Sequence, residues 1–423
     1  MSQDIKQLCK MLERSVSPFH AVAEAAKQLA KAGFDELSLD KTWELQNGKG
    51  YYVKVYDSAL IAFRIGEERK AGDMLRIEAA HTDWPCMKLK PKPEKKGDYA
   101  QLNVEVYGGP ILNTWLDRPL SVAGRVAVRR KNVFEPKLML VDFKRPVCVI
   151  PNLAIHMNRK VNEGVELNRQ VDLLPLFGGK KDGDWFMELL AKELSVKPED
   201  ILDYDLNLYN LDKPQVAGVD EDMLLSPRID NITSVQACVT GLISGQRSEG
   251  INVIALFDNE EVGSKTKQGG DSMILSFVLE KMYLALGEGK EEYLNAVAGG
   301  MLLSVDVAHA IHPNHPEKCD ITNQIHLNEG VALKLSGTQR YATDCQAIAI
   351  VEQLCKKNKI SYKKFANRSD IQGGSTLGSL ASSLLPMKTV DMGVPVLAMH
   401  SACETMGMKD QESLCKLMKE FFS

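Results

Sequence analysis

The 423-residue chain predicts an α/β fold, a mostly parallel sheet sandwiched by helices and interrupted by a β-rich insertion. Two observations carry this. Apolar runs short enough to be buried strands, MLRIEAA at 74–80, INVIALF at 251–257 and MLLSVDVAH at 301–309, alternate with stretches of helical periodicity. Between 91 and 212 that texture gives way to short alternating runs, QLNVEVYG, VAGRVAVRR and KLMLVDF, which fit antiparallel strands. The expected organisation is a first α/β part at 1–90, the insertion at 91–212, and a second α/β part at 213–423.

In chain order, Ile5, Leu8 and Leu12 recur at helix spacing, and Ser17-Pro18 opens a second helix that ends near Gly33. MLRIEAA reads as a buried strand running into His81-Thr82-Asp83. The Lys-, Pro- and Gly-rich KLKPKPEKKGDY that follows marks a linker or hairpin. The insertion includes one helix near 185–194. SPRIDN then precedes a helix with Ile232, Val235, Val239 and Leu242 on one face. After INVIALF come a helix near 271–286, the strand MLLSVDVAH, a strand around VALKLSG, a helix with Ile348, Val351 and Leu354, and the strand PVLAMH. There is no internal repeat and no low-complexity tract.

Composition excludes several classes. A hydrophobic content of 44% with 26% charged residues is ordinary for a soluble globular protein, and a net charge of -4 argues against nucleic acid or an anionic membrane surface as partner. No apolar run approaches the ~18 residues of a membrane span. The charged start MSQDIKQLCKMLERS shows no secretory h-region. Nine cysteines without a CxxC pair fit reduced thiols in a cytoplasmic protein better than a disulfide framework.

The chemistry concentrates at strand ends. His81, the pair Glu260 and Glu261, Asp306 and His400 all follow predicted strands, and Asp230 precedes a helix. In open α/β sheets ligands bind outside the carboxyl ends of the strands, so residues far apart in sequence can converge there. Each has a plainer role available: Asp230 can cap its helix, and a lone histidine can be a hydrogen-bonded structural one. Asp306, set among apolar neighbours in SVDVA, is harder to explain that way, because a buried carboxylate needs a partner or a metal. Imidazoles and carboxylates together suit two divalent cations, with zinc first and cobalt or manganese as alternatives. On an extended backbone Glu260 and Glu261 would point to opposite sides, one to metal and one to water. Asp83, two residues beyond His81, is placed to fix that imidazole's tautomer.

As a set, these residues resemble a known family. SPFHAVAEAAKQLAKAGF, AHTDWPCMKLKP, TWLDRPLSVAGRV, PNLAIHMNR, SPRIDN, FDNEEVGS, SVDVAHAIHPNHPEK, GTQRYATD, GGSTLG and MGVPVLAMHS are similar, in order, to motifs of the aspartyl aminopeptidase and vacuolar aminopeptidase I family of di-zinc metallopeptidases. The resemblance spans almost the whole chain. It implies a di-zinc exopeptidase-like fold whose insertion is a dimerisation domain, with dimers assembling to a dodecamer. It implies His81 and His400 as terminal metal ligands, Asp230 as the bridging ligand, and Glu261 and Asp306 as the remaining carboxylate ligands, with Glu260 as general base. The implied activity is hydrolysis of the amino-terminal residue of peptides. His309 and Lys334, joined by His156 from a neighbouring subunit, match the family's basic pocket and imply a preference for Asp or Glu. Two departures bear on that pocket: Pro110 follows Gly108-Gly109 where a third glycine is common, and Ser379 follows GGSTLG where proline is common. The alternatives are a di-metal hydrolase for neutral amino-terminal residues or N-acyl amino acids, and a non-catalytic assembly protein.

Overall fold

The computed structural model describes residues 1–371 and 373–423. The chain divides into two units. Met1–Asp83, Pro214–Met399 and Glu404–Ser423 form the first, and Trp84–Lys213 with His400–Cys403 form the second.

The first unit is built on a nine-stranded sheet. At its centre Ile251–Phe257, Leu75–His81, Met301–Val305 and Lys388–Gly393 lie side by side in that order, all parallel. Ala59–Ile65 and Gly50–Val55 extend one flank as an antiparallel hairpin, followed by Asp35–Leu37. On the other flank Val331–Leu335 runs antiparallel to Lys388–Gly393 and pairs in parallel with Tyr362–Ala366. The central strands are mostly apolar because both faces are covered. One face, with Ile77, Ala79, Val253 and Ala255, packs on Leu275, Val278, Leu279 and Met282 of helix Ile274–Ala285. The same core takes in Ala296 of helix Lys290–Gly299 and Leu377 and Ala381 of helix Leu377–Leu384. Helix Ile229–Ser244 covers the opposite face and is packed in turn against Gln3–Arg14, Pro18–Lys31 and Met408–Phe421.

Several details differ from the sequence expectation. The hairpin at 50–65 and the helix Lys290–Gly299 were not anticipated. PVLAMH is not a strand of the main sheet. The strand there is KTVDMG, and the chain leaves at Gly393 to place Pro395–Leu397 in a five-stranded sheet with Ala308–His309 and Glu404–Gly407. Gly393 is required because a Cβ there would collide with the backbone carbonyl of Asp306.

Helix Ile229–Ser244 covers a buried acid, Glu78 of strand Leu75–His81, which is 0% exposed. Among the described residues neither carboxyl oxygen has a partner of ordinary hydrogen-bond geometry, the Cys238 thiol offering only a weak one. Burial pushes its pKa well above the carboxylate range, so the folded protein holds a proton that the unfolded chain releases. Stability from this group is full below its unfolded pKa and falls as pH rises towards the folded value. Glu78→Met, which keeps the volume, is expected to flatten that fall and to stabilise by roughly 1–3 kcal/mol at about pH 8. Melting temperatures at about pH 5 and about pH 8 check it; an unchanged difference between the two would clear Glu78 of the effect.

The second unit is a six-stranded antiparallel sheet in the order Lys137–Asp142, Leu120–Val128, Ile201–Asn210, Cys86–Lys95, Tyr99–Tyr107 and Leu176–Gly179, with helix Trp185–Leu194. The sequence boundary at 91 falls inside Cys86–Lys95. That strand disguises itself because Pro91 and Pro93 sit where the pairing is irregular, between Leu89 and Glu94, so fewer ladder N–H donors are needed. No helix of the described residues is long and apolar enough to cross a membrane.

Candidate metal centre

Three neighbouring parallel strands deliver their last residues to one edge of the sheet. His81 ends Leu75–His81, Asp306 directly follows Met301–Val305, and Glu260–Val262 forms a short turn just beyond Ile251–Phe257. Asp230 arrives from the start of helix Ile229–Ser244, where the backbone at Asp230 and Asn231 is not helical. Two contacts hold it there. The Asp230 N–H donates to Glu404 Oε2 at 3.0 Å, and Asn231 Nδ2 donates to the Val305 carbonyl at 2.9 Å, one residue before Asp306. As a result His81 Nε2 lies 3.4 Å from Asp230 Oδ1 and 3.5 Å from Asp306 Oδ1. Glu404 and Asn231 were not picked out from the sequence, since neither sits in a spacing that signals a site.

The glutamate pair departs from the expected geometry. Glu260 and Glu261 are not on extended backbone, so strand alternation does not aim their side chains. Asn259 enters the turn with φ 62°, and its Oδ1 accepts from Thr266 Oγ1 at 2.9 Å and Gln268 Nε2 at 3.1 Å. The turn's exposed donors find one long-range acceptor: Asp83 Oδ1 takes the Glu260 N–H at 3.1 Å and Oδ2 takes the Glu261 N–H at 3.2 Å. Asp83 also faces His81 Nδ1, through its backbone carbonyl at 3.1 Å and Oδ1 at 3.4 Å. One buried aspartate therefore orients the imidazole and the turn that carries both glutamates.

The donors suit a metal. His81, Asp230 and Asp306 each offer an atom within 4.8 Å of the others, and so do His81, Glu260 and Glu261. Burial disfavours charge on His81, yet hydrogen bonds with Asp230, Asp306 and Asp83 outweigh it and push its pKa well above the usual range. Burial, with Asp306, Asp83 and Asp230 nearby, pushes Glu260 up to about 8, against the opposing pull of His81. So many carboxylates in a poorly hydrated pocket ask for positive charge, and a proton on His81 takes that part when no cation does. Nitrogen and carboxylate oxygen at these separations are the donor set of zinc.

Lys334 is a buried strand lysine. It is 1% exposed, donates to the Val307 carbonyl at 2.8 Å, and lies 3.7 Å from Asp306 Oδ2 and 5.2 Å from the Tyr341 ring centroid. Burial opposes its charge, but Asp306 and its neighbours raise its pKa. His309 is exposed and lines a cavity of about 320 Å³ together with His312, Lys318 and Arg368. His156 and His400 belong to the second unit: His156 lies in an exposed loop, and His400 Nδ1 is 3.1 Å from the Gly109 carbonyl.

Comparison with known proteins places this geometry. The family model described as aminopeptidase I zinc metalloprotease (M18) matches residues 11–422. A probable M18 family aminopeptidase 2 of Clostridium novyi (strain NT) is 44% identical over 423 residues, covering 99% of this chain and 98% of that relative. Among solved structures, Ape4 in its cryo-EM complex with Nbr1 superposes with a TM-score of 0.95 at 32% identity, covering 99% of this chain and 85% of Ape4. The S. cerevisiae mApe1 dodecamer gives 0.87 at 27% identity, covering 99% and 95%. The edge that gathers His81, Asp230, Glu260, Glu261 and Asp306 thus lies in a chain that belongs to the M18 family of zinc metalloaminopeptidases.

Proposed function

We propose that this metalloaminopeptidase removes the amino-terminal residue of peptides at a site holding two divalent cations, with Asp or Glu preferred in the first position. The carrying observation is the convergence of His81 with Asp230 and Asp306 and with Glu260 and Glu261, where burial pushes the Glu260 carboxyl up to about 8. When bound, such cations make water nucleophilic near neutral pH and polarise the scissile carbonyl. Asp230, Glu261, Asp306, His81 and His400 would hold them, with Asp230 shared and the two histidines at the ends as the resemblance implies. Glu260 accepts the proton of the attacking water and passes it to the leaving amine. Asp83 keeps His81 and the Glu260 turn in register for that transfer.

The acidic preference is supported by Lys318 in the cavity beside His309, a lining shared with Asp320 and with Arg368, whose guanidinium is paired with Asp370. Lys334 contributes through whichever ammonium proton Val307 and Asp306 leave unused. His156 is proposed to reach the cavity of a neighbouring subunit. Self-association through dimers to a dodecamer is supported by the dodecamer of S. cerevisiae mApe1. Cysteines left as free thiols fit a cytoplasmic setting.

The test is release of the first residue from Asp-, Glu- and Leu-initiated peptides, with chelator and with zinc, cobalt or manganese restored. Metal-dependent release favouring Asp and Glu by tenfold or more, about 1.4 kcal/mol, is expected. Faster release of Leu would discard the acidic cavity and keep the hydrolysis. Cleavage of N-acyl amino acids alone would replace the aminopeptidase reading.

A further inference from the structure

Two glycine-bearing segments that supply no ligand, GTQRYATD at 337–344 and GGSTLG at 373–378, meet over one buried side chain. That side chain is Asp391 of the central strand Lys388–Gly393, 0% exposed. Its Oδ2 accepts the Ala342 N–H at 2.6 Å, and its Oδ1 accepts the Thr376 hydroxyl. Its own N–H donates to Thr343 Oγ1 at 2.9 Å. Farther out the segments are laced again by Arg340 Nη1 donating to the Gly373 carbonyl at 3.0 Å. Gly378 lies flat on the carboxylate, where a Cβ would strike both oxygens. Directly across the antiparallel pair stands Lys334, whose ammonium faces Asp306.

A carboxylate at this depth is tolerated only when donors meet its oxygens. Here those donors come from two segments about thirty residues apart, so neither can shift without stranding the acid. Gly373 and Gly374 line the cavity beside His309. We propose that Asp391 is a positioning residue for substrate binding, locking segment 373–378, whose Gly373 and Gly374 line that cavity, to segment 337–344, which does not line it. It touches neither substrate nor cation and acts through the segments it binds. The proposal rests on the cavity receiving the substrate's first side chain.

Thr376→Val removes the hydroxyl and keeps the shape, and Thr376→Ser restores the donor. Hydrogen–deuterium exchange of the metal-free protein reads the coupling, and kcat and KM of the zinc-loaded enzyme on Asp- and Leu-initiated peptides read its use. In Thr376→Val, exchange is expected to accelerate about tenfold not only near residue 376 but also at Ala342, in the other segment. KM for the Asp peptide should rise about tenfold with kcat held within about threefold, and Thr376→Ser should bring both back. Wild-type exchange at 337–344 in Thr376→Val, or an unchanged KM while both segments loosen, would overturn the proposal. A KM rise equal for Asp and Leu peptides would uphold Asp391 and discard the acidic-cavity reading instead. Should Thr376→Val not fold, Gly378→Ala, which presses a methyl onto the carboxylate, gives the same two readouts.

Discussion

Glu260→Ala is expected to keep its zinc and lose turnover by about 10²–10⁴-fold, the range for removing a positioned general base. Its backbone N–H is held by Asp83, so truncating the side chain leaves the turn and the neighbouring Glu261 in place. The loss should fall on kcat, because proton transfer belongs to the transition state while peptide binding does not need it. Metal content by atomic absorption, measured beside kcat and KM, checks this. A variant that turns over near the wild-type rate would remove Glu260 from the mechanism. One that loses zinc would make it a ligand.

Asp83→Ala is expected to act through the metal. Two groups lose their partner outright, the Glu260 and Glu261 N–H donors, and His81 Nδ1 is left with the residue's backbone carbonyl alone of its two contacts there. Loss of a carboxylate that orients a metal-binding histidine lowers affinity about 10–100-fold, and each buried donor left unmet costs about 1–3 kcal/mol. Zinc should therefore pass to a competing chelator at concentrations the wild type withstands, and the melting temperature should fall. Asp83→Asn, which keeps one acceptor oxygen, should lie between. Unchanged zinc retention in Asp83→Ala would reduce Asp83 to a turn anchor.

Much of this was legible because apolar strands that end on a polar residue announce themselves. MLRIEAA runs into His81 and MLLSV into Asp306, and in a parallel sheet such ends share an edge. The orientation of Glu260 and Glu261 was not legible, because it depends on an acceptor, Asp83, more than 170 positions away and on the backbone Asn259 adopts. Glu404 and Asn231 were invisible for the same reason: each bonds a backbone group remote in sequence. Asp391 carried a signal that went unused. TVDM sets a carboxylate among apolar residues, as SVDVA does for Asp306, and the same cost of burial applies to both. Helix Lys290–Gly299 was missed because its apolar face is thin, with Tyr293, Ala296 and Val297 its buried residues.

The pairing order of the main sheet has a consequence for synthesis. Strand Leu75–His81 leaves the ribosome early, but both of its neighbours, Ile251–Phe257 and Met301–Val305, are encoded after all six strands of the antiparallel sheet. Until they emerge, a largely apolar strand that ends on His81 has neither of these neighbours to pair with. Such non-local pairing is slow and leaves sticky edges exposed. A growing chain has every strand of the intervening antiparallel sheet in hand long before its main parallel sheet can close, so a message truncated between the two leaves strand Leu75–His81 orphaned and prone to aggregate.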